Sequence, residues 1–137
     1  MQDALTLQGI QVLTVDDDTD NLELITFILE QAGASVISVS SAEDALQMLH
    51  QAKSDILIAD IGMPHMDGYT MLRHVRAMPP EQGGQIPAIA LTAYAGEINE
   101  QQALAAGFQL HIPKPVDPEI LVKAIAHIMK PANCENA

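Results

Sequence analysis

Short β-branched runs alternate along the chain with longer stretches in which apolar residues recur at helical spacing. This is the pattern of βα units that build a parallel sheet. Five segments read as strands: 10–15, 35–39, 55–59, 87–91 and 108–112. Between the first two, Leu22, Ile25, Ile28, Leu29 and Ala32 fall on one helical face, with Gly33 as the stop. Asp20 with Glu23 three residues on reads as a capping-box-like start for that helix. Ala42, Ala45, Leu46 and Leu49 mark a second helix. Met71, Leu72, Val75 and Met78 mark a third, opened by Asp67-Gly68 and closed by Pro79-Pro80. The last helix opens at Asp117-Pro118 and turns Leu121, Ala124, Ile125 and Ile128 inward.

The fourth helix, near Glu97 to Ala106, differs from the rest because it offers a core mainly Ile98, Leu104 and small alanines. Weak anchoring of this kind predicts an element comparatively free to shift. Residues 78–85 read as a loop by their Pro, Gly and Gln content, and no internal repeat occurs. The expected organisation is an N-terminal extension over 1–8, one α/β domain over 9–130 and a tail over 131–137.

Charge sharpens this picture: 6 Lys and Arg stand against 18 Asp and Glu among 137 residues, a formal net charge of −12. Direct nucleic-acid binding is not expected, because phosphate neutralisation needs clustered basic residues and these are scattered from Lys53 to Lys130. A basic partner or a bound cation fits better. The single Cys134 predicts no internal disulfide, and the N-terminal residues lack the basic start and apolar block of a signal peptide. No apolar run approaches the roughly 20 residues that span a bilayer, so the expected location is cytoplasmic and away from membranes.

In an open parallel sheet, ligands bind at the carboxyl ends of the strands where the winding direction reverses. The first strand ends in Asp16-Asp17-Asp18, the third in Asp60, the fourth in Thr92, and Lys114 follows the fifth. Two unit charges about 4 Å apart repel by roughly 4 kcal/mol at an effective dielectric near 20. Neighbouring carboxylates therefore persist where a proton is shared or a hard cation such as Mg²⁺ takes their oxygens. A run of Asp after a strand also reads simply as a solvated turn and helix cap, and Asp18 fits that role. Asp60 is different, because it ends the apolar run Ile56-Leu57-Ile58-Ala59. A carboxylate held rigidly there can attack a phosphoryl group to give an aspartyl phosphate. Lys114, restricted by Pro113 and Pro115, and the hydroxyl of Thr92 complete a set able to neutralise the phosphoryl oxygens.

Taken together, Val15-Asp16-Asp17, Asp60 with Met63-Pro64-His65-Met66-Asp67-Gly68, Leu91-Thr92-Ala93 and Lys114-Pro115 resemble the receiver domain of bacterial two-component response regulators. The resemblance runs from about Val12 to Met129, with all motifs in order. It implies a flavodoxin-like, doubly wound, five-stranded parallel sheet of order 2-1-3-4-5 with five helices. It also implies that Asp60 accepts a phosphoryl group from phosphohistidine on a histidine kinase or histidine phosphotransfer domain. Asp16, Asp17, Asp60 and the backbone carbonyl of Gly62 would hold Mg²⁺, while Lys114 and Thr92 would meet the phosphoryl oxygens.

Readout through an α4-β5-α5 face would couple Thr92 to His111, a position where the family commonly has Tyr or Phe. His111 also reads as an ordinary half-buried strand residue beside the last helix. Gly62 and Tyr94 occupy the positions that tune phosphoryl lifetime in the family. A missing side chain at one and bulk at the other predict slow loss of phosphate. His50, His74 and His127 read as surface positions, His65 as a solvated loop residue, and the seven Met residues as packing.

The resemblance implies no turnover enzyme, only a domain that assists its own phosphorylation and dephosphorylation. A stand-alone regulator and a receiver from a hybrid histidine kinase both fit, and a homodimer is compatible with either. The alternative is a phosphatase of the haloacid-dehalogenase type, suggested by Asp16-Asp17-Asp18-Thr19. Its Thr normally comes two places after the second Asp, where this chain has Asp20, and there is no room for a cap domain. A fold that has lost its chemistry is unsupported, because Asp16, Asp17, Asp60, Thr92 and Lys114 are all present. No Gly-rich nucleotide loop occurs.

Overall fold

A computed structural model describes residues 7–63, 66–92 and 97–129, with backbone alone for 97–100. Five strands, β1 (Gln11–Val15), β2 (Ser35–Val39), β3 (Ile56–Asp60), β4 (Ala88–Thr92) and β5 (Leu110–Pro113), alternate with five helices. These are α1 (Thr19–Gln31), α2 (Ala42–Gln51), α3 (Gly68–Arg76), α4 (Glu97–Ala106) and α5 (Pro118–Met129). Every strand pairs parallel to its neighbours, in the order β2-β1-β3-β4-β5. The expected architecture is therefore the observed one, with β2 as expected and the ends of the other strands within two residues of expectation.

Strand alternation divides the core into two layers. Leu13, Val15, Leu57, Ala59, Ala88 and Ala90 pack with α2, α3 and α4. Val12, Ile56, Ile58, Ile89, Leu91 and Ile112 pack with Ile25, Ile28 and Leu29 of α1 and with Leu121 and Ile125 of α5. All five residues of β3 and of β4 are buried, as expected for central strands covered on both faces. Leu7, ahead of β1, is also buried, and its N–H donates to the Ala32 carbonyl at 2.8 Å.

Helix starts follow side-chain caps. Ser41, Asp67 and Asp117 accept from the first-turn amides of α2, α3 and α5, the last two as expected. At α1 two caps were expected and the structure keeps one: Asp18 is the cap, accepting from the N–H groups of Asp20 and Asn21, and the expectation for Asp20 is corrected, since it lies inside the first turn. The reason is that β1 ends at Val15, so the chain turns into the helix two residues earlier than an Asp20 cap requires. A second correction concerns α4, whose Leu104 is 50% exposed while Ala103 and Ala106 are buried. Residues 103 and 106 share a face three apart, and Leu104 is rotated about 100° from Ala103, toward solvent. The segment expected as a loop holds one 3-10 turn at Pro80–Gln82.

Gly68 is required by close approach. A Cβ there would sit 2.8 Å from the Asp60 carbonyl oxygen and 2.9 Å from the Ile61 side chain. Substitution Gly68→Ala is expected to cost about 1–3 kcal/mol, as overpacking does, because a backbone atom cannot swing aside. Urea unfolding measures it: the midpoint should fall at unchanged slope, and an unshifted midpoint contradicts the close contact.

Candidate functional site

The strand order reverses its winding between β1 and β3, and Asp16 and Asp60 lie at the carboxyl ends of these adjoining strands. Both are almost fully buried, at 1% and 5% exposure, whereas Asp17 is exposed. One oxygen from each of the three carboxylates falls within 4.8 Å of the others. Like charges buried together cost free energy unless an opposing charge answers them, so what surrounds them decides whether the cluster persists.

Lys114 supplies the opposing charge. Its Nζ lies 2.8 Å from Asp60 Oδ1 and 3.4 Å from Asp16 Oδ2. Burial alone pulls the ammonium's pKa down, but the hydrogen bond with Asp60 and the charges of Asp16 and Asp60 outweigh it. The net effect holds Lys114 above its ordinary value. Its backbone is tied to β4 through the Lys114 N–H, which donates to the Thr92 carbonyl at 2.7 Å. Thr92 is 2% exposed at the end of β4. The sheet thus brings together Asp16, Asp17, Asp60, Thr92 and Lys114 from three strand ends and one loop.

Asp16 is held more firmly than its sequence position foretells. Its Oδ1 accepts from the Asp18 N–H at 2.9 Å, and its Oδ2 accepts from the Asn21 side-chain amide. Asn21 is the partner that the sequence reading missed. A polar residue five places after a strand-end Asp is the only available signal, and many solvated helix turns carry it.

Gly62 is exposed, and a Cβ built there would meet nothing within 4 Å. His111 is half-buried on β5, opposite Ala90. Its neighbours Leu110 and Ile112 face the α1 and α5 layer, so alternation turns His111 toward α3 and α4 rather than beside the last helix. Its Nε2 is buried with no hydrogen-bond partner among the described residues. Tyr94, Pro64 and His65 lie outside the described residues. His50, His74 and His127 are exposed, Met63 and Met71 buried, and Met66 and Met78 half-buried, as expected. A recess of about 500 Å³ lies at the opposite end of the sheet, between the α2–β3 loop and residues 80–87, remote from the carboxylates.

Carboxylate oxygens are the hard ligands that Mg²⁺ prefers, and two buried members with a third exposed leave room for water or an incoming anion. The residues therefore fit such an ion. No helix among the described residues is long and apolar enough to cross a membrane.

Comparison with known proteins agrees with the geometry. The family model described as the response regulator receiver domain matches residues 12–126. A 14.6 kDa protein in the sodA1 3' region of Leptolyngbya boryana is 42% identical over 120 residues, covering 88% of this chain and 90% of that protein. Sensor protein GacS of Pseudomonas syringae is 31% identical over 122 residues, covering 88% of this chain. The chain spans only 14% of GacS and 7% of hybrid signal transduction histidine kinase I of Dictyostelium discoideum. Among solved structures, chemotaxis response regulator CheY4 of Vibrio cholerae superposes with a TM-score of 0.81 at 28% identity, covering 88% of this chain and 98% of that one. A receiver domain protein from Methanospirillum hungatei gives a TM-score of 0.78 at 30% identity, covering 87% and 92% of the two chains. With this match over most of its length and the acidic cluster at the switch point of its sheet, the chain belongs to the response regulator receiver domain family of two-component signalling.

Proposed function

We propose that this receiver takes a phosphoryl group on Asp60 from a phosphohistidine of a histidine kinase or histidine phosphotransfer domain. The observation that carries the reading is the 2.8 Å ion pair between Lys114 and a nearly buried Asp60, with Asp16 and Asp17 beside it. In the transfer, an Asp60 carboxylate oxygen bonds to phosphorus as the P–N bond breaks. The partner's imidazole keeps that electron pair. Lys114 follows the new negative charge onto a phosphoryl oxygen, and Thr92 donates its hydroxyl to another. Asp16, Asp17, Asp60 and the Gly62 carbonyl would hold Mg²⁺, which supplies charge neutralisation between the carboxylates and the phosphoryl group.

The structural response is read by Thr92 and His111 and delivered through the α4-β5-α5 face, where Leu104 and Ile120 expose apolar surface. His111 Nε2, buried with no hydrogen-bond partner among the described residues, supports this role, because an unsatisfied buried polar atom favours any rearrangement that gives it a partner. The same chemistry serves a regulator standing alone or a receiver joined to a hybrid kinase, in the cytoplasm.

Incubation with a small phosphodonor and Mg²⁺, followed by intact mass, tests the reading. A gain of one phosphoryl group is expected, and its absence overturns the proposal. Gly62 and Tyr94 are assigned to phosphoryl lifetime, so Tyr94→Ala is expected to speed dephosphorylation severalfold by opening the site to water. An unaltered time course would remove Tyr94 from that role.

A further inference from the structure

Arg76, the last residue of α3, spans three segments of the molecule. Its Nη1 donates to the Gly84 carbonyl at 3.0 Å and its Nη2 to the Gly107 carbonyl at 2.8 Å. One planar guanidinium thereby joins the turn before β4 to the turn between α4 and β5. The group is part-buried, and burial holds its pKa below the ordinary guanidinium value. Among the described residues no carboxylate pairs with it. Its charge is answered by the carbonyl of Gly84 in the turn before β4 and by that of Gly107 at the C-terminal end of α4, where the helix dipole places negative potential.

Gly107 is shaped to this contact. Its φ is +114°, and a Cβ there would lie 2.9 Å from Arg76 Nε and 3.2 Å from its Cγ. The anchoring described for α4 gathers at the same end. Ala103 and Ala106 are buried, Phe108 N–H donates to the Ala103 carbonyl at 3.0 Å, and Gly107 N–H donates to the Leu104 carbonyl at 3.1 Å. The opposite end of α4 follows β4 in the chain, on the side of Thr92.

We infer that Arg76 is a latch fixing the C-terminal end of α4, so that events at the phosphoacceptor tilt the helix about Gly107 rather than shifting it whole. The inference rests on the phosphoacceptor reading for the tilt; the latch itself stands on the unphosphorylated contacts. Lysine cannot replace it, because a single ammonium lacks the fork that reaches two carbonyls at fixed separation.

Hydrogen exchange on the full chain, with and without a small phosphodonor and Mg²⁺, tests it. In the wild type, phosphorylation should alter exchange in the first two turns of α4 and leave the amides of Gly107 and Phe108 unchanged. In Arg76→Lys those two amides should exchange at least about tenfold faster before any phosphodonor is added, as loss of a charged hydrogen bond predicts. The response to phosphorylation should then extend to Gly107. Gly107→Ala attacks the same contact from the other side and serves where Arg76→Lys fails to fold. Unchanged exchange at 107 and 108 in a folded variant overturns the latch. A phosphorylated wild type whose α4 changes evenly along its length overturns the pivot. Where intact mass finds no phosphoryl group on the wild type, the phosphoacceptor reading and the pivot fall together, and the latch is judged on the unphosphorylated variants.

Discussion

Replacing Asp60 with asparagine is expected to abolish phosphoryl uptake while leaving the fold intact. The amide keeps the shape of the carboxylate and an oxygen that can still accept from Lys114, but it offers no anionic oxygen to attack phosphorus. The substitution also removes one of three clustered negative charges, so stability should change by no more than about 1 kcal/mol. Intact mass after incubation with phosphodonor and Mg²⁺ reads the outcome. The wild type gains one phosphoryl group and Asp60→Asn gains none. Equal gain in both proteins would move the acceptor to another residue.

The second large effect is expected from Lys114→Met. Without the ammonium, Asp16 and Asp60 face one another with no cation, at 1% and 5% exposure. Removing one partner of a fully buried pair typically costs 3–5 kcal/mol. Because the Lys114 side chain is 22% exposed, about 2–3 kcal/mol is expected here. The loss should depend on divalent cation: Mg²⁺ bound to the cluster replaces the missing positive charge, so it should raise the unfolding midpoint more in Lys114→Met than in the wild type. Urea unfolding at pH 7 with chelator and with Mg²⁺ provides the four midpoints. A variant as stable as the wild type in chelator, with no extra gain from Mg²⁺, would refute this account of the cluster.

Much of this was legible in the residues because the signals were redundant. Short β-branched or apolar runs place the strands, and β1 to β5 fell within two residues of expectation. Asp67 and Asp117 were readable as caps because a proline or glycine beside each fixes where the helix can begin. Asp18 and Asp20 were not distinguishable, since either carboxylate can cap a turn. The choice is made by tertiary pairing: β1 pairs with β2 and β3 through Val15, leaving three residues to turn into α1.

Leu104 misled for a related reason. Alanine fits either side of a helix, so hydrophobicity alone does not decide which face of α4 turns inward, and it is Ala103 and Ala106 that join the core. The gathering of Asp16, Asp60, Thr92 and Lys114 was readable from strand-end positions alone. The Asn21 clasp on Asp16 and the Arg76 fork were not, because each depends on side-chain direction across segments far apart in sequence.

β3 gives the site a mechanical ground. It is the middle strand, buried at all five positions and hydrogen-bonded on both sides, so the residue at its tip has almost no freedom to travel. A charge added to Asp60 cannot be relieved by moving Asp60. The displacement must be taken up by the groups around it, first of all by the Lys114 side chain that pairs with Asp60 from the β4-β5 flank. On the proposed reading the sheet would give the signal a direction before any partner binds: Asp16 is braced by its clasp on the β1 side, and the group that answers Asp60, Lys114, comes from the other edge.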